Sequence, residues 1–103
     1  MTPEGRIKKQ VSKYLLTKSP SMWYWCVQDR FTCGILDIIG CYGGLFFGVE
    51  LKKPGCSATA IQSWRVRQIK LAGGFATVAT TLKQVKELIG EVENDSRFKL
   101  RKV

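Results

Sequence analysis

Histidine is absent from this 103-residue chain, which removes the commonest general base and the commonest transition-metal ligand. The serine and cysteine triads that depend on histidine are excluded with it. Acidic residues are also few: eight Asp and Glu stand against 17 Lys and Arg, giving a net charge of +9. Any catalytic chemistry must therefore rest on carboxylates, on lysine and, where a metal is needed, on a hard metal ion.

The chain also lacks a CxxC motif and a long hydrophobic segment. The four cysteines, Cys26, Cys33, Cys41 and Cys56, show no CxxC spacing. A zinc site would need all four thiols, so we expect free thiols in core or surface positions instead. The start MTPEGRIKKQ lacks the apolar segment of a secretory signal, and no run approaches the roughly 18 apolar residues of a membrane span. These features predict an intracellular protein.

The composition otherwise fits one compact domain. The chain is 45% hydrophobic and 24% charged, and its length allows a single core. We expect one domain over residues 1–103, with a core at about 3–93 and a basic tail at 96–103. The positive surplus favours nucleic acid as a partner, with an anionic membrane second. A solubility role for the charge is the remaining alternative.

The first third of the chain predicts a helix followed by a strand. Thr2 is a candidate N-cap and Pro3 suits the first helical turn, so a helix is expected over about 3–18. Its apolar positions recur at helical spacing: Ile7, Val11, Tyr14 and Leu15. After the breaker SPS, the aromatic run MWYWCVQ at 22–28 predicts a strand.

The later part predicts helix, strand and helix. Residues 58–72 form the second expected helix, supported by Ile61, Trp64, Ile69 and Leu71. FATVAT at 75–80 predicts a short buried strand, which a right-handed crossover can place parallel to strand 45–53. Thr81 can cap a last helix to about residue 93, and the basic tail SRFKLRKV is expected to fray or to add an edge strand. The apolar face of this last helix would comprise Leu82, Val85, Leu88, Ile89 and Val92.

A Gly43-Gly44 pair between two apolar runs indicates a two-residue β-hairpin turn. If these glycines form the turn, facing residue numbers sum to 87 and Asp37 lies opposite Glu50. Facing Cβ atoms are about 4.5–5.5 Å apart, so the two carboxylates would repel unless a positive charge lay between them. Lys52 shares the face of Glu50, because alternate strand residues point the same way.

This cluster predicts a site for a divalent cation. Oxygen ligands suit Mg²⁺ or Mn²⁺, which keep several waters and accept phosphate oxygens, so phosphodiester hydrolysis is possible without histidine. The alternative is structural: Glu50 and Lys52 as an exposed ion pair, and Asp37 as a solvated edge residue. Asp37 interrupts the run GILDII, however, where a charge without a partner is costly.

The chain resembles the PD-(D/E)XK nuclease superfamily in the order of its elements and motifs. This order is a helix, a strand, GILD, the hairpin, VELKKPG, a helix carrying Gln62, and AGGFATVAT. Within this superfamily, the chain is similar to the small stand-alone VRR-NUC type of phages and bacteria, over about residues 3–90. The resemblance implies an α/β, restriction-endonuclease-like core with a mixed sheet flanked by helices. It also implies that the protein acts in the cytoplasm of a bacterium or of a phage-infected host cell. Leu36 stands where the superfamily has its name-giving proline.

The resemblance also implies roles for individual residues. Asp37 and Glu50 match the metal-binding carboxylates, and Lys52 matches the catalytic lysine. The backbone carbonyl of Leu51 matches a further metal ligand, and Glu4 matches an acidic residue of the first helix near the site. Glu4 also suits a first helical turn whatever its function. Gln62 matches a glutamine that orients the lysine or contacts DNA.

Function and partners follow as expectations. The resemblance implies an Mg²⁺- or Mn²⁺-dependent endonuclease, selective for branched DNA such as Holliday junctions and acting as a homodimer. The dimer could use the aromatic strand, the last helix or the tail. Basic residues that would contact phosphates if they faced the cleft are Lys53, Arg65, Arg67 and Lys70. The alternative is a basic nucleic-acid-binding module with a nuclease-like fold that does not cut.

Overall fold

The computed structural model describes residues 2–27 and 35–100, apart from the side chains of Pro3 and Glu4. The elements run α1 (Pro3–Leu16), β1 (Met22–Cys26), β2 (Ile38–Tyr42), β3 (Leu45–Leu51), α2 (Ala60–Leu71), β4 (Phe75–Ala79) and α3 (Leu82–Asn94). The predicted order of helices and strands is confirmed, with boundaries that differ by a few residues. Within the described ranges, no helix is both long and apolar enough to cross a membrane.

The four strands form one mixed sheet in the order β1-β2-β3-β4. β1 and β2 are antiparallel, as are β2 and β3, whereas β3 and β4 are parallel and joined through α2. The hairpin turn has φ angles of 59° at Gly43 and 88° at Gly44, which glycine adopts without steric cost. Tyr42 faces Leu45, so the predicted register is confirmed.

The main core lies between one face of the sheet and helices α1 and α3. Alternate residues of β3 point into it and pack against the apolar faces of the two helices. Its fully buried side chains include Val11, Leu15, Phe47, Val49, Val85, Ile89 and Val92. The predicted apolar faces of the first and last helices are therefore confirmed.

Helix α2 covers the opposite face of the sheet, over β3 and β4. Gly48 allows this approach, because a Cβ atom there would lie 2.8 Å from Leu36 and 3.5 Å from Ile69. The residues used to predict this helix mostly do not face the sheet: Ile61 is 45% exposed, Trp64 53% and Leu71 76%. The predicted helix is confirmed, but its apolar residues do not mark its buried side, since apolar spacing alone does not say which face a tertiary neighbour covers.

The described part of the C-terminal tail neither frays nor forms an edge strand. The ring of Phe98 meets that of Tyr42 edge-on, with centroids 4.8 Å apart, and the Lys99 N–H donates to the Gly43 carbonyl at 3.0 Å. The tail therefore packs against the hairpin turn. The described cysteines, Cys26, Cys41 and Cys56, are free thiols as expected, and Cys33 lies outside the described residues.

Candidate active site

Glu50 is the next-to-last residue of β3 and points to the sheet face that α2 covers. It is only 4% exposed, the one buried charged residue in the described part of the chain. A buried carboxylate is costly unless hydrogen bonds or positive charge compensate it. Its surroundings therefore bear directly on function.

Gln62 contacts Glu50 from the first turn of α2. Its Nε2 donates a 2.8 Å hydrogen bond to Glu50 Oε2, while its Oε1 accepts from the Thr59 N–H at 2.9 Å. The Thr59 hydroxyl in turn accepts from the Gln62 N–H, which completes a capping box at the start of α2. The capping geometry thus fixes the side chain that holds Glu50.

Asp37 lies immediately before β2, one position beyond the Ile38–Val49 pair. Its backbone carbonyl accepts the Val27 N–H at 2.8 Å, and its Oδ2 accepts the Leu51 N–H at 2.8 Å. The first bond ties Asp37 to the residue that follows β1, and the second holds its side chain at the end of β3, beside Glu50. The structure therefore brings together the two carboxylates that the hairpin register placed opposite each other.

Lys52 follows β3 and completes the cluster. Its Nζ lies 3.7 Å from Glu50 Oε2, and its side chain is 20% exposed. The Lys52 N–H donates to the Ala79 carbonyl at 2.9 Å, which fixes its backbone to the end of β4. The ammonium group is thus held beside the buried carboxylate while keeping some access to solvent.

The electrostatics of Glu50 follow from this arrangement. The pKa of Glu50 is raised from 4.5 to about 7, first by burial and then by the negative charge of Asp37, against the opposing effect of Lys52. The lysine therefore compensates only part of the cost of placing two carboxylates together. A further positive charge would favour the ionised form of Glu50.

One atom of the cluster has no hydrogen-bond partner. Glu50 Oε1 is buried and unpartnered among the described residues. Buried oxygens are normally paired, and a hard cation is one partner that suits a carboxylate oxygen. No group of three or more His, Cys, Asp or Glu side chains that could hold a metal occurs in the described residues. Two carboxylates, those of Asp37 and Glu50, are a donor set that suits an ion such as Mg²⁺, because this ion keeps several of its waters.

A small cleft of about 130 Å³ opens beside Asp37 and is lined by Gly5, Lys8, Asp37 and Leu51. The N-terminal end of α1 thus borders the site. Thr2 caps this helix, because its hydroxyl accepts a 3.0 Å hydrogen bond from the Gly5 N–H. The side chain of Glu4 lies outside the described residues. Lys8 was not among the predicted site residues, although it lies one helical turn after Glu4 and hence on the same helix face.

The predicted phosphate-contacting residues do not gather at the site. Lys53 is exposed just after Lys52, and Arg67 is exposed on α2. Arg65 is half-buried and donates from one guanidinium nitrogen to Gln68 Oε1 at 2.9 Å. Lys70 lies about 12 Å along the helix axis from Gln62. There it lines a groove that also contains Glu87 and Glu91 of α3.

Known proteins give one clear likeness. The chain is similar to a solved structure described as a VRR_NUC domain, with a TM-score of 0.72 and 21% sequence identity. The match covers 87% of this chain and 97% of that chain. No protein-family model matches the sequence, and no curated protein does. The chain is therefore a small α/β protein whose three helices and mixed four-stranded sheet form a VRR_NUC-like nuclease fold.

Proposed function

We propose that this protein is a metal-dependent endonuclease that hydrolyses DNA phosphodiester bonds, and that its fold belongs to the PD-(D/E)XK superfamily. The observation that carries the proposal is the buried Glu50 carboxylate, whose Oε1 has no described partner and which adjoins Asp37 and Lys52. A protein that only binds DNA gains nothing from two carboxylates beside a phosphate, since they repel it. A bound metal ion would neutralise the carboxylates and attract the phosphate instead.

Asp37 and Glu50 would hold the Mg²⁺ or Mn²⁺ ion, together with the backbone carbonyl of Leu51. When bound, the ion would lower the pKa of a water and stabilise the charge that develops on the scissile phosphate. The chain's own residues perform the rest. Gln62 keeps Glu50 in place, and the Leu51 N–H orients Asp37. Lys52 presents its ammonium group to the attacking water or to a phosphate oxygen.

Branched DNA and a homodimer form the finer part of the proposal. A single short domain offers one catalytic cluster, so cutting two strands of a four-way junction is simplest for a symmetric pair. Strand β1 supports such a pairing, because it lies at the edge of the described sheet. Trp23 and Trp25 on β1 are 59% and 62% exposed and stack with ring centroids 6.4 Å apart. Exposed paired tryptophans are typical of protein interfaces.

The alternative function is a basic DNA-binding module that does not cut. It would use the same net charge of +9 and the same fold. The pairing of Glu50 with Asp37 disfavours it, because burial of a carboxylate next to another lowers stability without helping DNA binding.

The test is cleavage of labelled linear, flapped and four-way DNA by the purified protein, with Mg²⁺, Mn²⁺ or EDTA. We expect cutting with either metal, none in EDTA, and a preference for the four-way junction. Asp37→Ala is the control for a contaminating nuclease and should not cut although it binds DNA. Undiminished cutting in EDTA, or by Asp37→Ala, would contradict the proposal. Equal cutting of linear and branched DNA would contradict only its finer part.

A further inference from the structure

A second cleft lies between α1 and α3, on the sheet face opposite α2. Its volume is about 380 Å³, and its lining residues are Gln10, Lys13, Tyr14, Thr17, Leu82 and Lys86. Two of these side chains are cationic and none is acidic. The catalytic cluster uses none of them, so the cleft requires a separate explanation.

The cations of this cleft lack carboxylate partners. Neither Lys13 nor Lys86 forms an ion pair with any residue in the described ranges. Lys86 Nζ lies 5.3 Å from the ring centroid of Tyr14, and Lys18 Nζ lies 5.5 Å from the same centroid. A cation–π contact holds an ammonium group in position without neutralising it. Lys18 is neutralised by Glu93 at 3.4 Å, so Lys86 remains available to an anion.

The cleft extends from the catalytic end of the sheet, where α3 begins, towards the hairpin end, where α1 ends. β4 ends at Ala79, which pairs with Leu51 at the end of β3, and α3 begins three residues later at Leu82. Lys8 of α1 lines the small cleft that contains Asp37. Lys13 lies about 7.5 Å further along the α1 axis. The two clefts therefore border the same helix, one after the other.

Charge is distributed unevenly along α3 in a way that favours this end. Lys83 and Lys86 lie in its first half, whereas its acidic residues Glu87, Glu91 and Glu93 follow them. A polyanion approaching the catalytic end meets lysines on both helices, and carboxylates would repel it from the far half of α3.

We infer that the cleft between α1 and α3 binds the phosphate backbone of a DNA duplex arm beside the cleaved bond. Lys13 and Lys86 each contact a phosphate, while Gln10 supplies a neutral hydrogen-bond donor. The Thr17 hydroxyl donates to the Tyr14 carbonyl at 2.6 Å and only lines the cleft. This inference rests on the proposed function and specifies the DNA path for it. Such contacts position the duplex without reading its sequence. They also lie across the sheet from the α2 residues to which the sequence assigned this role.

The test measures how salt weakens binding of a fluorescent duplex of about 20 base pairs, by anisotropy in EDTA so that nothing is cut. Each phosphate contact contributes about 0.9 to the slope of log affinity against log salt. Lys13→Gln and Lys86→Gln should therefore each reduce the slope by about 0.9, and Lys86→Arg should restore it. The matched control is Lys99→Gln, which removes the same charge from an exposed residue at the hairpin end and should leave the slope unchanged.

Equal slopes for Lys13→Gln, Lys86→Gln and Lys99→Gln would overturn the inference. Because binding is measured without cutting, this result stays decisive even if the wild-type protein fails to cleave DNA, which would contradict the proposed function instead. In a protein that cuts, the two cleft variants should raise KM and keep the wild-type kcat. A lowered kcat with an unchanged slope would likewise overturn the inference.

Discussion

Gln62 donates a 2.8 Å hydrogen bond to Glu50 Oε2 and so ties the first turn of α2 to the end of β3. The other oxygen of Glu50 is buried without a described partner. The carboxylate is thus held in a fixed orientation on one side, while its second oxygen can serve as a ligand. Gln62 is a positioning residue in this arrangement, since it acts through Glu50.

Gln62→Ala should lower cleavage more than stability alone explains. The substitution removes both the Glu50 contact and the capping box of α2, and loss of the box should cost about 1 kcal/mol of unfolding free energy. Gln84→Ala is the matched control, because Gln84 completes the same kind of box with Thr81 on α3. Urea denaturation and cleavage rates measure the two effects.

The two variants should lose similar stability, but only Gln62→Ala should lose at least tenfold in kcat, since a misplaced catalytic group can cost that much or more. Equal loss of kcat in both would show that Gln62 acts only on the fold.

Glu50→Gln should abolish cutting while stabilising the fold. A neutral amide has nearly the same shape but removes a buried charge that Asp37 repels. We expect the metal-free variant to gain about 1 kcal/mol at pH 8, which raises Tm by roughly 4–8 °C for a domain of this size. Differential scanning calorimetry in EDTA measures this gain. A variant less stable than the wild type at pH 8 would show that the ionised carboxylate stabilises the fold.

Stability without metal should fall as pH rises from about 5.5 to 8. The pKa of Glu50 is raised from 4.5 in the unfolded chain to about 7 in the folded one, so the folded state binds more protons between these values. Protonated Glu50 therefore makes its full contribution to the free energy of unfolding below pH 4.5, and this contribution is lost as pH rises through about 7. The pKa of Asp95 is lowered by Arg97 to about 2, so its effect is confined to more acidic solutions.

Urea denaturation in EDTA at the two pH values tests this dependence, with Glu50→Gln as the comparison. The variant should show a flatter pH profile, because it lacks the titrating group. An identical pH dependence in wild type and variant would assign the effect to another residue.

Addition of Mn²⁺ or Mg²⁺ should raise Tm more at pH 8 than at pH 5.5, since the metal binds the ionised carboxylates and competes with the proton. At 100 times the dissociation constant, binding to the folded state adds about 2.7 kcal/mol. Asp37→Ala and Glu50→Gln should lose this response. A metal-dependent rise in Tm that persists in both variants would place the metal elsewhere.

Replacing both exposed tryptophans of β1 should dissociate the proposed homodimer. Light scattering of Trp23→Ser/Trp25→Ser should give a mass near the single-chain 11.6 kDa, and the wild type about twice that. Trp64→Ser is the control, because Trp64 is 53% exposed but lies on α2. Dimers that survive the double substitution would exclude β1 as the interface.

The sequence by itself determined the hairpin and the residues of the proposed catalytic cluster. Two glycines admit the positive φ angles of a two-residue turn, and the strand repeat then fixes which residues face each other. The predicted helix caps Thr2 and Thr81 are equally local, because each hydroxyl accepts from an N–H three residues away. The same geometry at Thr59 was not predicted, since the helix was expected to begin at residue 58. Such short-range geometry can be read from residue order.

Tertiary structure alone decided how these parts meet. Burial of Glu50 depends on α2 packing over β3. The same packing brings Gln62 to Glu50, whereas the resemblance had implied that Gln62 orients Lys52 or contacts DNA. The pairing of α1 with α3 likewise brings Lys13 and Lys86, 73 residues apart, into one cleft. Spacing in the chain predicts which residues share an element and a face. Contacts between elements depend on how their surfaces fit together, and the periodicity of apolar residues does not determine that fit.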